Sequence, residues 1–193
     1  MKQAAKRLVL MSALSLAVLV QASASSISFV FNTVHSGATP GGPAPWATMT
    51  INDISGGVQI SLTNSPTNTA GQFISELNLL FNTLPTGFNF ASDPYVQSIS
   101  LGSYTNAGLS FNVEVRFKVA PPAQRLLPGG TSTFQLFGVS TSDFAGLDNS
   151  AIVHIQAIPP LDESGKIIAP EPGSLIAIGT GLVSLLGLRR RRK

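Results

Sequence analysis

Residues able to do acid–base or metal chemistry are few in this chain and lie far apart. His35 and His154 are the only histidines, and there is no cysteine. A disulfide framework, a thiolate metal site and a cysteine nucleophile are therefore excluded. A zinc site usually takes three or four protein ligands, more than two separated histidines supply. His154 stands between Val153 and Ile155 in an alternating run, so its ring faces away from those two, on the side of Ile152 and Gln156. There it can bond a neighbour or meet an Asp or Ser across a sheet. No Gly-x-Ser-x-Gly elbow accompanies it, which leaves a serine hydrolase without sequence support.

The carboxylates occur singly. Asp53 precedes Ser-Gly-Gly, Asp93 precedes Pro94, and Asp143 and Asp148 lie in STSDFAGLDNS. At such positions an Asp side chain commonly closes a turn on its own backbone. Asp143, Asp148 and Asn149 offer oxygens to Ca²⁺, but without the alternating Asp/Asn loop of a calcium motif. Glu76 and Glu114 make a glycosidase pair only if the fold brings them within about 10 Å. Gly41-Gly42, Gly56-Gly57 and Gly129-Gly130 lack the Lys or helix opening of a phosphate loop. No cofactor or metal is expected. Trp46, after the stretch PGGPAP, either plugs a core or offers a flat surface to a sugar ring. Trp46 and His154 are thus the candidate ligand residues of the middle of the chain.

Charge is concentrated at the two ends. Lys2, Lys6 and Arg7 open the sequence and Arg189, Arg190, Arg191, Arg192 and Lys193 close it, 8 of the 12 basic residues. Between Ser25 and Ala169 four cations stand against eight carboxylates, a net of −4 in a chain whose formal net charge is +3. The middle offers nucleic acid no electrostatic footprint.

Both ends read as addresses. A basic start, a 13-residue apolar stretch from Leu8 to Val20, and Ala22-Ser23-Ala24 make a secretory signal, with small Ala22 and Ala24 fitting the peptidase and cleavage falling after Ala24. The apolar stretch is short for a retained anchor in a bilayer of about 30 Å. At the other end Pro170-Glu171-Pro172 is followed by 16 uncharged residues, Gly173 to Leu188, and then five cations. The prolines favour extended, exposed chain. Sixteen residues reach about 24 Å as a helix, a deficit that snorkelling arginines can cover. The positive-inside rule keeps the cationic end cytoplasmic and places the triplet outside.

This tail resembles the PEP-CTERM sorting signal of exopolysaccharide-producing Gram-negative bacteria. Pro170, Glu171 and Pro172 match the signature triplet, Gly173 to Leu188 the transmembrane stretch, and Arg189 to Lys193 the basic terminus. The resemblance implies recognition by an exosortase, a membrane-embedded cysteine transpeptidase-like enzyme, cleavage near the triplet, and delivery to the cell surface or extracellular matrix. It covers Pro170 to Lys193 alone. An ordinary type I membrane anchor is the alternative.

The elements between the addresses are strands. In Phe111 to Val119, apolar Phe111, Val113, Val115, Phe117 and Val119 alternate with Asn112, Glu114, Arg116 and Lys118. Ala47 to Ile51 and Val58 to Leu62 alternate on either side of Ser55-Gly56-Gly57, which predicts a hairpin. Ile27 to Val34, Phe73 to Phe81, Tyr95 to Leu101, Thr133 to Val139 and Ala151 to Ile158 complete the set. In Phe73 to Phe81, the spacing of Phe73, Leu77, Leu80 and Phe81 would also suit a short helix. The expected fold is all-β: an antiparallel β-sandwich, jelly-roll-like or immunoglobulin-like, of about eight strands over residues 25–159. A polar linker, 160–169, should join it to the tail, with a signal helix before the sandwich and a single transmembrane helix after it.

The function expected is that of an exported cell-surface or matrix protein, non-catalytic, structural or exopolysaccharide-associated. Its partners would be signal peptidase, Sec-type export machinery, an exosortase, exopolysaccharide and, before processing, the membrane. A secreted hydrolase, glycosidase or esterase, with an unrecognised active site is the alternative.

Overall fold

A computed structural model of the chain describes residues 25–144 and 149–169. The signal segment, Asp148 and the tail from Pro170 to Lys193 lie outside the described residues. Within them there are eleven strands: β1 (Ser26–Phe31), β2 (Thr33–Gly37), β3 (Ala47–Ile54), β4 (Gly57–Asn64), β5 (Phe73–Leu79), β6 (Gly87–Asn89), β7 (Val96–Asn106), β8 (Leu109–Phe117), β9 (Thr131–Phe137), β10 (Ala151–Ile158) and β11 (Glu163–Ile168). They form two antiparallel sheets packed as a sandwich. The five-stranded sheet A has the order β1-β3-β4-β9-β6, and the six-stranded sheet B the order β2-β11-β10-β5-β8-β7.

Alternation builds the core, because every second residue of a strand faces the opposite sheet. Met49 and Ile51 of β3, Ile60 and Leu62 of β4 and Phe134 and Leu136 of β9 meet Val113 and Val115 of β8 and Val153 and Ile155 of β10, all buried in one cluster. One end of the sandwich is closed by a 3-10 turn, Thr141–Phe144. The Phe144 ring stands edge-on to Phe29 at 5.6 Å and tilted against Phe81 at 3.9 Å. Asp53 holds this plug in place: its two carboxylate oxygens accept from Thr141 N at 2.7 Å and Thr141 Oγ1 at 2.9 Å.

Two features depart from the sequence expectation, and one open reading is settled. Phe73–Leu79 is a strand, as expected, and not a short helix, and it carries one bulge. β10 pairs His154 with Glu76 but Ile155 with Ile74, so Ser75 is the extra residue, and Ile74 and Leu77 both face inward three positions apart. The run Ile27 to Val34 is divided at Asn32 between the two sheets, as β1 and β2. Residues 160–169, expected as a linker, contain β11, which pairs with β10 on one side and β2 on the other and buries Gly165 and Ile167.

That correction moves the end of the folded unit to Ala169. A chain ending at Pro159 leaves β2 unpaired and β10 as an open edge. A chain ending at Ala169 should give a strand-type circular dichroism spectrum with cooperative melting, and one ending at Pro159 should lose cooperative melting. Ile167→Ala should lower stability by about 2–5 kcal/mol, measured by denaturant titration.

Candidate functional site

Of the residues singled out by sequence, Ala22, Ala24, Pro170, Glu171, Pro172 and Arg189, Arg190, Arg191, Arg192 and Lys193 lie outside the described residues. Trp46 is 8% exposed and belongs to the core cluster. Its indole Nε1 donates to the Gly42 carbonyl at 3.0 Å, while Asn68 Nδ2 donates to the Trp46 carbonyl at 2.8 Å. The ring therefore fills the sandwich and presents no stacking surface.

His154 occupies the outer face of sheet B, where alternation assigned it. Register aligns Lys166, His154, Glu76 and Arg116 across four adjacent strands. The bulge at Ser75 turns that hydroxyl to the histidine: Ser75 Oγ lies 3.3 Å from His154 Nδ1 and 3.3 Å from the His154 carbonyl oxygen. The hydroxyl donates to the carbonyl, the ring tautomer sets the direction of the Nδ1 contact, and neither contact is short. Burial holds the His154 pKa below its ordinary value; nearby Glu76 opposes that shift and Lys166 adds to it.

Glu76 is engaged elsewhere. Asn106 Nδ2 donates to Glu76 Oε1 at 2.6 Å and to Asn78 Oδ1 at 2.7 Å, and Asn78 Nδ2 donates to Glu76 Oε1 at 3.0 Å. Lys166 Nζ donates to Asn106 Oδ1. Asn106 ends β7, and its neighbour Ala107 accepts from His35 Nε2 of β2 at 2.9 Å. Contacts from this tip to β5, β11 and β2 require the β7–β8 hairpin to double back over the outer face of sheet B. The register break between Leu101 and Tyr104 supplies the bend, and Ala107 and Gly108, at φ of 50° and 81°, make the tight turn. Asn78 and Asn106 are buried under it, each bonded, as buried amides require.

Glu114 sits beside Asn78 and two residues from Arg116, which faces Glu76, so the fold does set the two glutamates on one face as diagonal neighbours. Arg116 grips Glu114 with Nε at 3.0 Å and its second nitrogen at 3.2 Å. The cluster on this face works as a clamp on the hairpin. Its members Ser75, Asn78, Asn106 and Lys166 were not apparent from sequence; the one signal for them is Asn78 two places after Glu76, hence on the same face. Among the described residues no group of three or more His, Asp or Glu side chains is placed to hold a metal ion. Asp93 bonds Tyr95 N and Val96 N at 2.8 Å and Ser132 Oγ at 2.9 Å. Asp143 accepts from Ser140 N at 2.7 Å. Both therefore close turns.

The outer face of sheet A has the opposite character. Asp53 is the one ionisable residue in its five strands, and it is bound to Thr141, whereas the strands of sheet B carry His35, Glu76, Glu114, Arg116, His154, Glu163 and Lys166. Register lines up Ser26, Asn52, Gln59, Gln135 and Asn89 in one row across all five strands of sheet A. The next row is Ser28, Thr50, Ser61 and Thr133, with Ser61 Oγ and Thr133 Oγ1 3.2 Å apart.

No known protein family, curated protein or solved structure matches this chain.

The histidine gives the clamp a pH dependence. Since folding lowers the His154 pKa, the unfolded chain takes up the proton first as pH falls. The stability contributed by the neutral ring is full above the unfolded value of about 6.5 and is lost as pH drops through the folded value. The melting temperature should therefore fall on acidification from pH 7.5 toward about 5.5. In His154→Gln the fall should be smaller; His35 is present in both proteins, so the difference isolates His154.

Proposed function

We propose that this is an exported cell-surface or extracellular-matrix protein, the substrate of an exosortase-type sorting enzyme, whose sandwich is a non-catalytic structural module in contact with exopolysaccharide. The observation that carries this reading is the order of segments: a secretory signal up to Ala24, a folded unit, and the Pro-Glu-Pro tail from Pro170. The fold supports the order at both joints. Ser25 already accepts a ladder-like bond from Asp53 N at 2.9 Å, and Ala169 N donates to the Ala151 carbonyl at 3.4 Å. Cleavage after Ala24 and processing near Pro170 would thus leave the sandwich whole.

A non-catalytic role is supported by how the outer-face groups of sheet B are used. A serine nucleophile needs a histidine that takes its proton and an acid that orients that histidine. Here Ser75 also points at a carbonyl, and Glu76 is taken up by Asn78 and Asn106. The winding is best described as jelly-roll-like. β4 pairs with β9 in sheet A and β5 with β8 in sheet B, so the β4–β5 and β8–β9 segments cross between sheets as one antiparallel ribbon. Jelly rolls include lectin domains, although a fold alone assigns no ligand.

Two outcomes follow. Replacing Ala22 and Ala24 by bulky residues should block signal cleavage and leave a larger, membrane-tethered precursor, read by intact mass; normal processing would refute cleavage after Ala24. Changing Pro170, Glu171 and Pro172 to alanine should leave export intact in a host with the matching exosortase but accumulate an uncleaved inner-membrane form. Release or display as efficient as that of the unmodified protein would make the tail a plain anchor.

A further inference from the structure

We infer that the outer face of sheet A is a binding surface for an uncharged polysaccharide, with Phe137 as its stacking ring and the row Asn52, Gln59, Gln135 and Asn89 as its polar rail. This deepens the reading above by naming the face that contacts the glycan and the class of glycan it accepts.

Charge selects the ligand class. The face carries carboxamides and hydroxyls, groups that both donate and accept, as sugar hydroxyls do. It carries no cation to pair with a uronate or phosphate, and the strand cations Arg116 and Lys166 belong to the other sheet. Covering a charge without a partner is costly, while covering a neutral amide that gains a bond is not. Asp93, the carboxylate at the β9 rim, is already bonded to Tyr95 N, Val96 N, Ser132 Oγ and Thr133 N. A neutral chain meets no penalty anywhere along the rail.

Geometry supplies the platform. Four strands about 4.8 Å apart make the amide row about 14 Å long, long enough for an extended oligosaccharide rather than one sugar. Phe137 follows Gln135 on the same face, half-buried, in a row where its partners on both sides are Gly57 and Gly87. A Cβ on Gly57 would strike the Leu136 carbonyl oxygen at 2.1 Å, so the backbone itself requires glycine there. A Cβ on Gly87 would lie 3.6 Å from Phe137 Cδ2, so the ring leans over bare backbone with no side chain beside it in its row. An aromatic ring among amide side chains on a flat, wet surface suits the apolar face of a sugar.

The test uses the full chain in detergent micelles, sedimented with an insoluble uncharged β-glucan and, separately, titrated with soluble polygalacturonate. Purified protein is assayed, so a failure of sorting in the cell would not affect the result. Unmodified protein should sediment with the glucan and ignore the polyuronate. Phe137→Ala should weaken glucan binding by about three- to tenfold, Gln135→Ala should also weaken it, and Phe137→Tyr should retain it. Glu114→Gln on the opposite sheet should bind as the unmodified chain does. Melting curves identify any variant that fails to fold, and Phe137→Tyr and Gln135→Ala keep the test open if Phe137→Ala does. Equal binding of the polyuronate, unchanged binding by folded Phe137→Ala and Gln135→Ala, loss in Glu114→Gln, or sedimentation of the protein without glucan would each overturn the assignment.

Discussion

Everything in this sandwich depends on the fit of two apolar inner faces that no covalent link holds together. With no cysteine in the chain, the sheets stay in contact because Met49, Ile60, Phe134 and their neighbours leave water only by meeting Leu77, Val115 and Val153. That requirement fixes the register. A slip of one residue would turn each inner face outward, so β3, β4 and β9 hold one alignment over their length. The 3-10 plug extends the same interaction to the end of the sandwich: Phe144 seals the gap between Phe29 and Phe81, and the Asp53 carboxylate keeps it there.

Once the inner faces are fixed, the outer faces are free to differ, and they do. Sheet A faces outward with amides and hydroxyls, and sheet B with nearly all the ionisable side chains of the strands. The charged face is also the one that is covered. A hairpin tip laid over Glu76 and Asn78 removes their water, so each polar atom there needs a new partner. Asn106 and Lys166 supply those partners, and the half-buried His154 beside them favours its neutral form for the same reason. The neutral face needs no such network and stays open.

Strict alternation was readable: β3, β4 and β8 show it residue by residue, and the Ser55-Gly56 turn is legible in the glycine. What sequence concealed was every place where the period breaks. The bulge at Ser75 breaks the alternation of β5 and brings Ile74 and Leu77, three positions apart, to one face. The tip holds Ala107 itself at a positive φ, a conformation alanine rarely takes, and lies beyond the strand expected to end at Leu101. The strand β6 has three residues, Gly87-Phe88-Asn89, too few to show a period. The strand β11 begins with Glu163, Ser164 and Gly165, the composition of a loop, and becomes a strand because without it β10 would be an open edge and β2 would have no partner. The site followed the same rule. The outward side of His154 could be read from its own strand, while Ser75, Glu76 and Lys166 came to it through pairings between residues far apart in sequence. The turn closures by Asp93 and Asp143 were local and therefore legible, whereas Asp53, expected to close the turn after it, bonds Thr141 instead, a partner that only the folded chain brings near.

The position of β11 also decides how the folded unit can be tethered. A chain leaving an edge strand can be peeled away one hydrogen bond at a time, each failing alone. The chain that continues past Ala169 leaves from a strand held on both sides, through six paired positions with β10 and four with β2. Its inward residue Ile167 is buried besides. Pulling along that strand must shear both ladders together and drag an apolar side chain from the core. An interior last strand is thus suited to a domain that bears load through its C-terminal end, and a flexible linker at 160–169 would have had no such grip.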